Sequence, residues 1–377
     1  MDISSVFPEL NGKLGFGCMR LPMKGSAVDK EEFCRMADAF IEAGFNYFDT
    51  AHGYIDGLSE TAIGECVSSR YDRSRFLLTD KLTDPYFKKQ EEIRPFFMKQ
   101  LEWCRVGCFD LYLMHAQDRN NYKKFTACRA YETAIELKNE GLIRHFGISF
   151  HDKAEVLDQI LNEHPEIEIV QIQFNYLDYE DASVEARKVY EVCEKYDKPV
   201  IVMEPVKGGS LVKLPSEADK ILRDLNGGSN ASYALRFAGS FPNIAVVLSG
   251  MSDMAQMNDN ISTCRDFMPL TDEEHEAVRR VCDVFKGLNM IPCTSCRYCI
   301  EENSCPMNIR IPDIFSAFNA HKMFNDWNAS FYYDEIITGG DRAKASECIK
   351  CGLCERVCPQ HLPIRELLDK AAGTFER

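Results

Sequence analysis

The stretch NYFDTAHGYIDGLSETAIGECVSSRYDRSRFLLTDK, residues 46–81, decides how the first 265 residues are read. It opens on a short apolar run, NYFD at 46–49. A turn-rich segment follows, then a stretch with helical spacing at 58–70, then a second apolar run, RFLLTD at 75–80. Short apolar runs bounded by turn residues read as buried strands, and a helix between two of them is the connection that parallel strands require. The same alternation continues on both sides. Further candidate strands are KLGFG at 13–17, FDLYLMH at 109–115, HFGIS at 145–149, IVQIQFN at 169–175, PVIVME at 199–204 and IAVVLSG at 244–250. Helical patterns lie at 29–43, 91–105, 125–139, 153–162, 184–196, 229–239 and 253–265. Eight strand–helix units in this length predict a closed (β/α)8 barrel of the TIM type. An open doubly wound sheet also alternates, but it carries a G-x-G-x-x-G turn. GFGCMR offers Gly15 and Gly17 and then Arg20 in the third place.

Bulk properties narrow the function classes. Among 377 residues, 59 Asp and Glu outnumber 44 Lys and Arg, for a net charge of −15. Nucleic-acid binding needs a concentrated basic patch, and the sequence holds none. No segment reaches the roughly 18 apolar residues of a membrane span. The opening MDISSVFPELNGKLGFG lacks the basic and apolar regions of a secretory leader. A cytoplasmic protein is expected, and 17 cysteines in a reducing compartment point to metal or catalysis before disulfides.

Eight of those cysteines crowd the C-terminal part. Cys293, Cys296 and Cys299 form C-x2-C-x2-C, with Cys305 before Pro306; Cys348, Cys351 and Cys354 repeat the spacing, with Cys358 before Pro359. Zinc sites use separated pairs of ligands, whereas three thiolates at i, i+3 and i+6 wrap one corner of a cubane. The two motifs resemble those of bacterial-type ferredoxins with two [4Fe–4S] clusters. In such ferredoxins the fourth ligand comes from the other motif. The resemblance implies one set of Cys293, Cys296, Cys299 and Cys358, and a second of Cys348, Cys351, Cys354 and Cys305. Five residues rather than three precede Cys305, a departure from the usual pattern. The spacer at 306–347 reads helical, as in IPDIFSAFNAHKMF, which predicts a small, mainly α-helical ferredoxin-like iron–sulfur domain. The chain divides into a barrel at 1–265, a linker helix at 266–290 and the cluster domain at 291–377. The linker opens with Thr271 and Glu274 in a capping-box pattern.

In a barrel, chemistry lies at the C-terminal ends of the strands. Asp49 ends the second predicted strand, Lys81 follows the third, His115 ends the fourth, and Tyr54 sits five residues after Asp49. A carbonyl that accepts hydride needs a proton at its oxygen. Tyr can donate it, although its unperturbed pKa near ~10 is high for work at neutral pH. A neighbouring ammonium, Lys81, is expected to favour the phenolate, with Asp49 holding Lys81 and His115 orienting the substrate oxygen. Singly, each has a blander role, as cap, solvated cation, loop aromatic or structural imidazole. Together GFGCMRLP, FDTAHGYIDGLSETAIGE, LTDK, LYLMH and GISFHD resemble the aldo-keto reductase signatures, from about Leu14 to Asn260. The joined tail is similar to that of a bacterial subgroup carrying iron–sulfur clusters.

That resemblance implies Asp49, Tyr54, Lys81 and His115 as a catalytic tetrad for nicotinamide-dependent interconversion of a small-molecule carbonyl and alcohol. It implies Ser149 and Gln171 at the cofactor's carboxamide. Pro205, Gly208, Gly209 and Leu211, in EPVKGGSL, would lie at its pyrophosphate. Ser249, Gly250, Ser252, Gln256 and Asn260, in SGMSDMAQMNDN, would lie at its nucleotide end. Three positions depart from the family. Phe150 stands where Asn is common, Met203 where many members stack a Tyr, and 249–260 holds no Lys or Arg for a 2′-phosphate. The expected cofactors are two [4Fe–4S] clusters and NAD(P)H, with FMN, held through the same phosphate loop, as the means of joining two-electron to one-electron chemistry. Two alternatives are a flavin-dependent electron-transfer protein serving a redox partner protein, and a non-catalytic, redox-sensing nucleotide-binding barrel. The nine remaining cysteines are expected to pack as small hydrophobes, and Arg20 and Lys207 to be solvated.

Overall fold

The computed structural model describes residues 6–181, 184–301, 305–324, 328–338 and 342–376. Residues 1–5 and parts of the 306–347 spacer therefore lie outside the described residues. The chain folds as two compact units. The first is Met1–Asp181, Glu185–Pro205 and Ala234–Leu270; the second is Ala182–Val184, Val206–Tyr233 and Thr271–Arg377.

The first unit contains a closed parallel barrel. Its strands are β1 (Leu14–Gly17), β2 (Tyr47–Asp49), β3 (Leu77–Leu82), β4 (Phe109–Gln117), β5 (Ile143–Phe150), β6 (Ile169–Gln173), β7 (Val200–Met203) and β8 (Ile244–Ser249). Each pairs with its sequence neighbours, and β8 closes on β1, with Phe16 beside Ser249 and Gly17 beside Asp49. The expected barrel is present. Side chains alternate across each strand. Tyr47, Leu77, Leu111, Leu113, Ile169, Ile201 and Val246 fill a buried cluster with Phe7. Two positions beyond Tyr47 and four beyond Leu77, the same period carries Asp49 and Lys81 onto that face. β3 is buried at every residue, so whatever polar groups it carries must find partners.

The helices of this unit are α1 (Lys30–Glu42), α2 (Leu58–Ile63), α3 (Gln90–Cys104), α4 (Arg119–Ala127), α5 (Ala130–Asn139), α6 (Ala154–Glu163) and α7 (Ala186–Lys195), with α10 (Met254–Arg265) after β8. Two departures from the sequence pattern have local causes. The helix expected at 125–139 is broken, because Arg129 takes a left-handed φ of 53° between α4 and α5. The helix expected at 58–70 ends at Ile63 and widens into a π-turn over Gly64–Ser68. Cys66 in that turn is bonded to Cys34 of α1, their Cα atoms 4.8 Å apart. Those two cysteines are thus a disulfide, not two packing thiols; Cys18, Cys104 and Cys193 are free and buried as expected.

The second unit contains α8 (Ser216–Arg223), which the sequence pattern did not announce, packed on α11 (Asp272–Leu288). α11 opens with a complete capping box: the Thr271 hydroxyl accepts from the Glu274 amide at 3.3 Å, and the Glu274 carboxylate accepts from the Thr271 amide at 2.8 Å. Short helices α12 (Tyr298–Glu301), α14 (Asn328–Phe331) and α15 (Leu353–Arg356) flank α13 (Ile311–Phe324) and α16 (Ile364–Phe375). Ile291, Ile309, Ile314, Phe315, Phe318, Leu368 and Phe375 form its core. The Asn319 side chain bonds both the amide and the carbonyl of Ile291, at 2.8 and 2.7 Å, and so ties the chain entering the cysteine region to α13. Lys207 is buried at 2% exposure, which corrects the expectation that it is solvated. Its neighbour Gly208 has φ 62°, and a β-carbon there would lie 2.3 Å from the Thr294 carbonyl oxygen. Only glycine permits that approach.

Candidate active site and cysteine sites

Four side chains from successive strand ends meet in the barrel. The Lys81 ammonium donates to Asp49 Oδ1 at 2.6 Å and to the Thr50 carbonyl at 2.7 Å. It also lies 4.7 Å from the centre of the Tyr54 ring. The His115 ring meets Tyr54 edge to face, centroids 5.9 Å apart. Asp49, Lys81 and His115 are buried, and Tyr54 is 9% exposed. Tyr54 is held by its loop. Thr50 bonds the Thr79 carbonyl through its amide at 2.9 Å and Ser59 through its hydroxyl at 2.7 Å. Ile55 and Asp56 then turn through left-handed φ of 53° and 51°.

The electrostatics differ from the sequence-based expectation. Burial, reinforced by the charge of Asp49, pushes the Tyr54 hydroxyl well above its ordinary value. The Lys81 ammonium is paired with Asp49 and does not outweigh that burial in this state. Burial, with help from the Lys81 charge, holds His115 well below its ordinary value, so the imidazole is neutral. Its Nδ1 lies 2.8 Å from the Thr83 hydroxyl, which fixes the ring. Thr83 was not foreseen; a polar residue two positions beyond Lys81, on the same strand face, was the available signal.

The residues implied for a cofactor fall into several groups. Gln171 Nε2 donates to Asp49 Oδ2 at 2.9 Å, so Asp49 is bonded through both oxygens. The Ser149 hydroxyl accepts from the Ala116 amide at 2.7 Å. Asn260 donates to the Ser249 hydroxyl at 2.7 Å, and the Gln256 side-chain oxygen accepts from the Ser252 amide at 3.0 Å, beside the start of α10. The Ser252 hydroxyl donates to the Arg20 carbonyl at 2.8 Å, and the nearest atoms to Gly250 are those of the Arg20 side chain. Pro205 ends a segment of the first unit, while Gly208, Gly209 and Leu211 belong to the second. There Gly209 and Leu211 both donate backbone N–H groups to the Val206 carbonyl, at 3.0 and 3.1 Å. Gln173 and Asn175, also on the β6 side, both bond Asp178, at 2.7 and 2.6 Å.

The C-terminal cysteines gather into two sets. One pocket is lined by Cys293, Cys296, Cys299 and Cys358, with Pro312, Phe315, Leu362 and Ile364. Another is lined by Cys305, Cys348, Cys351 and Cys354, with Ile309, Leu353 and Leu368. Ile311 lines both. Cys305 joins the second motif's three cysteines and Cys358 the first motif's three, despite the unequal spacing. Among the described residues no three His, Cys, Asp or Glu side chains converge closely enough to hold a single metal ion. Four thiols spread around an apolar cavity suit a polynuclear cluster better than one tetrahedral ion.

A closed parallel barrel with Asp, Lys, Tyr and His at its strand ends, in a chain ending in two four-cysteine cavities, defines the class. The chain belongs to the aldo/keto reductase family, whose model matches residues 13–283, and a 4Fe-4S dicluster domain model matches residues 292–363. It is an aldo-keto reductase oxidoreductase with a 4Fe-4S dicluster domain. Among its relatives is YqkF, an uncharacterized oxidoreductase of Bacillus subtilis (strain 168), 25% identical over 310 residues, which are 74% of this chain and 92% of that protein. Among solved structures, aldo-keto reductase AKR11C1 from Bacillus halodurans in its holo form is 25% identical. It covers 71% of this chain and 91% of its own, with a TM-score of 0.57. An aldo-keto reductase from Klebsiella pneumoniae in complex with NADPH shares the fold at 18% identity, TM-score 0.59, covering 71% of this chain and 90% of its own. No helix among the described residues is long and apolar enough to cross a membrane.

Proposed function

We propose that this protein interconverts a small-molecule carbonyl and alcohol with a nicotinamide cofactor, and that two [4Fe–4S] clusters couple the reaction to a redox partner protein. The observation that carries the reading is the buried meeting of Asp49, Lys81, Tyr54 and His115. Support for the nicotinamide comes from the neighbouring aldo-keto reductase crystallised with NADPH. The nicotinamide, when bound, supplies or takes the hydride, and the clusters, when bound, pass electrons one at a time.

The chain's own residues do the rest. Tyr54 is the acid: its raised value keeps the hydroxyl protonated at neutral pH, ready to give its proton to the carbonyl oxygen as charge develops there. Lys81 lies over its ring and stabilises the phenolate left behind. Asp49, fixed by Gln171, holds Lys81 in that place. Neutral His115, with Nδ1 engaged by Thr83, presents Nε2 to the substrate oxygen. Ser149 and Gln171 would hold the carboxamide, Pro205, Gly208, Gly209 and Leu211 the pyrophosphate, and Ser249, Gly250, Ser252, Gln256 and Asn260 the remaining nucleotide. Cys293, Cys296, Cys299 and Cys358 would hold one cluster, and Cys305, Cys348, Cys351 and Cys354 the other, in largely apolar surroundings with Cys351 exposed. Thiolates kept for clusters go with a reducing, cytoplasmic setting.

The test is Tyr54→Phe, isolated without oxygen and assayed against a carbonyl panel with NADH and NADPH. Turnover should fall by about 10²-fold or more, the scale of general-acid catalysis, with iron content unchanged. A variant that keeps the wild-type rate removes Tyr54 from the chemistry. Acid extraction of the same preparation separates the cofactors: a fluorescent flavin in the extract would replace the nicotinamide reading with an FMN one.

A further inference from the structure

Behind Lys81, on the opposite face of β3, lies a second buried set of charged groups that the reaction above does not use. The period of two in LLTDKL turns Asp80 away from the barrel interior, and Asp80 and Glu60 of α2 are both 0% exposed. Their carboxyl groups hydrogen-bond each other. Glu60 Oε2 lies 2.6 Å from His52 Nδ1, and Glu60 Oε1 accepts from Gln100 Nε2 at 3.0 Å. Asp80 Oδ1 accepts from the Lys81 amide at 2.8 Å, and the Cys104 thiol meets its other oxygen at 3.8 Å. Gln100, on α3, also donates to the Lys81 carbonyl at 3.0 Å and accepts from the Tyr112 hydroxyl at 2.5 Å. Both backbone groups of Lys81 are therefore tied to this network.

Of these side chains His52 is the one that reaches water, at 17% exposure. It is stacked on Trp103, centroids 4.4 Å apart, and approached edge-on by Tyr86 and Phe96. Gly57 has φ 81°, and a β-carbon there would strike the His52 ring at 2.9 Å, so the turn after Tyr54 is shaped around that imidazole.

The groups facing the pair are accounted for element by element. α3 offers Gln100 and the Cys104 thiol, β4 the Tyr112 hydroxyl, the loop after β2 His52, and β3 the Lys81 backbone. The nearby cation, Lys81, has its ammonium on Asp49 and Thr50. Two buried carboxyls in contact without a cation of their own cannot both ionise.

We propose that Glu60 and Asp80 share a proton exchanged with water through His52, and that this proton sets the pH dependence of proton donation by Tyr54. The inference rests on the reading of Tyr54 as the acid. Neither carboxyl touches substrate or cofactor, so both are positioning residues. The order of titration follows from the environment. Burial, opposed by the hydrogen bonds from Gln100 and Asp80, pushes Glu60 up to about 7. Burial and the Glu60 charge push Asp80 well above the carboxylate range, so Asp80 keeps its proton and donates it to Glu60. Burial lowers His52, which is neutral at that pH and donates Nδ1–H to the Glu60 carboxylate. Below about 7 the pair is neutral; above it the pair carries one negative charge, and the proton has left for water. That charge disfavours the Tyr54 phenolate.

Glu60→Gln removes the charge that forms above about 7, and Asp80→Asn replaces the neutral acid donor with an amide donor. In infrared difference spectra the wild type should show a protonated-carboxyl band that disappears through about pH 7, absent from Glu60→Gln. In pH profiles of carbonyl reduction, Glu60→Gln should lose the transition near 7. Its alkaline limb should move down on the order of one pH unit, as a unit charge ~10 Å away acts at an effective dielectric near 20. Asp80→Asn should shift the transition to higher pH, because a carboxamide donates more weakly to the Glu60 carboxylate than a carboxylic acid does. A network that only braces Lys81 would lower kcat or stability at every pH with the limbs unmoved. That result, or a wild-type spectrum with no titrating band, overturns the proposal. The infrared arm does not depend on Tyr54: a titrating band beside an active Tyr54→Phe variant would sink the acid assignment, and with it the coupling, and not the shared proton.

Discussion

Replacing Gly208 with alanine should break the packing between the glycine loop and the first cysteine motif. Gly208 has φ 62° and ψ 16°, a left-handed conformation that costs an L-residue about 1–2 kcal/mol. The added methyl would stand 2.3 Å from the Thr294 carbonyl oxygen and 2.8 Å from its carbon, where ordinary contact begins at 3.4 Å. The two segments must part by about 1.1 Å (3.4 − 2.3). Overpacking of this kind costs about 1–3 kcal/mol, for a total near 2–5 kcal/mol. Gly209 is the internal control. Its φ is 96°, so alanine there is also strained, by about 1–3 kcal/mol. Nothing lies within 4 Å of its added methyl, so it carries no clash. Thr294 sits next to Cys293, and metal–ligand distances tolerate only about ±0.2 Å. The Gly208 variant should therefore lose iron from the site of Cys293, Cys296, Cys299 and Cys358 while the Gly209 variant keeps it. Urea unfolding and iron and sulfide analysis after anaerobic reconstitution make the comparison. Equal unfolding midpoints and equal iron in the two variants would refute the packing argument.

Three more outcomes are expected. Cys358→Ser should disturb the same paramagnetic signal as Cys293→Ser, and Cys305→Ser the same signal as Cys348→Ser; electron paramagnetic resonance of the reduced variants reports a wrong pairing directly. Lys81→Met strands the buried Asp49 carboxylate and should cost about 3–5 kcal/mol in denaturant unfolding, while Lys81→Met combined with Asp49→Leu recovers part of it. Glu168 contributes to acid stability: burial opposes ionisation, but His145, Lys138 and the Phe146 amide outweigh it and bring the carboxyl from 4.5 down to about 2. A depressed carboxyl stabilises the fold above its unfolded value, and that stability is lost as pH falls from about 4.5 toward 2. Glu168→Gln should flatten the pH dependence of unfolding in that window.

The barrel was legible because its strands are largely buried and so read as short apolar runs, with Asp49, Lys81 and His115 at or near their ends. The sets of cysteines were legible because three thiols spaced by two residues leave a fourth position to be filled from elsewhere. Other features leave no local trace. Cys34 and Cys66 are 32 residues apart, and their bonding depends on how α1 meets the turn after α2. α8 buries only Ala218 and Leu222, too thin an apolar stripe to stand out. The direction of the Tyr54 shift was missed because its largest cause is burial, which packing in three dimensions decides. Glu60 and Asp80 sat inside the quoted stretch; their contact arises from strand alternation meeting the first turn of α2.

The assignment of Val206–Tyr233 to the second compact unit has a consequence for biosynthesis. As the chain leaves the ribosome, this segment emerges well before Thr271–Arg377, with which it packs. α8 must wait, its apolar stripe uncovered, until α11 arrives. A protein truncated after Leu270 would leave that stripe permanently bare, so α11, most of which lies within the stretch 13–283 matched by the aldo/keto reductase model, has to stay with the reductase.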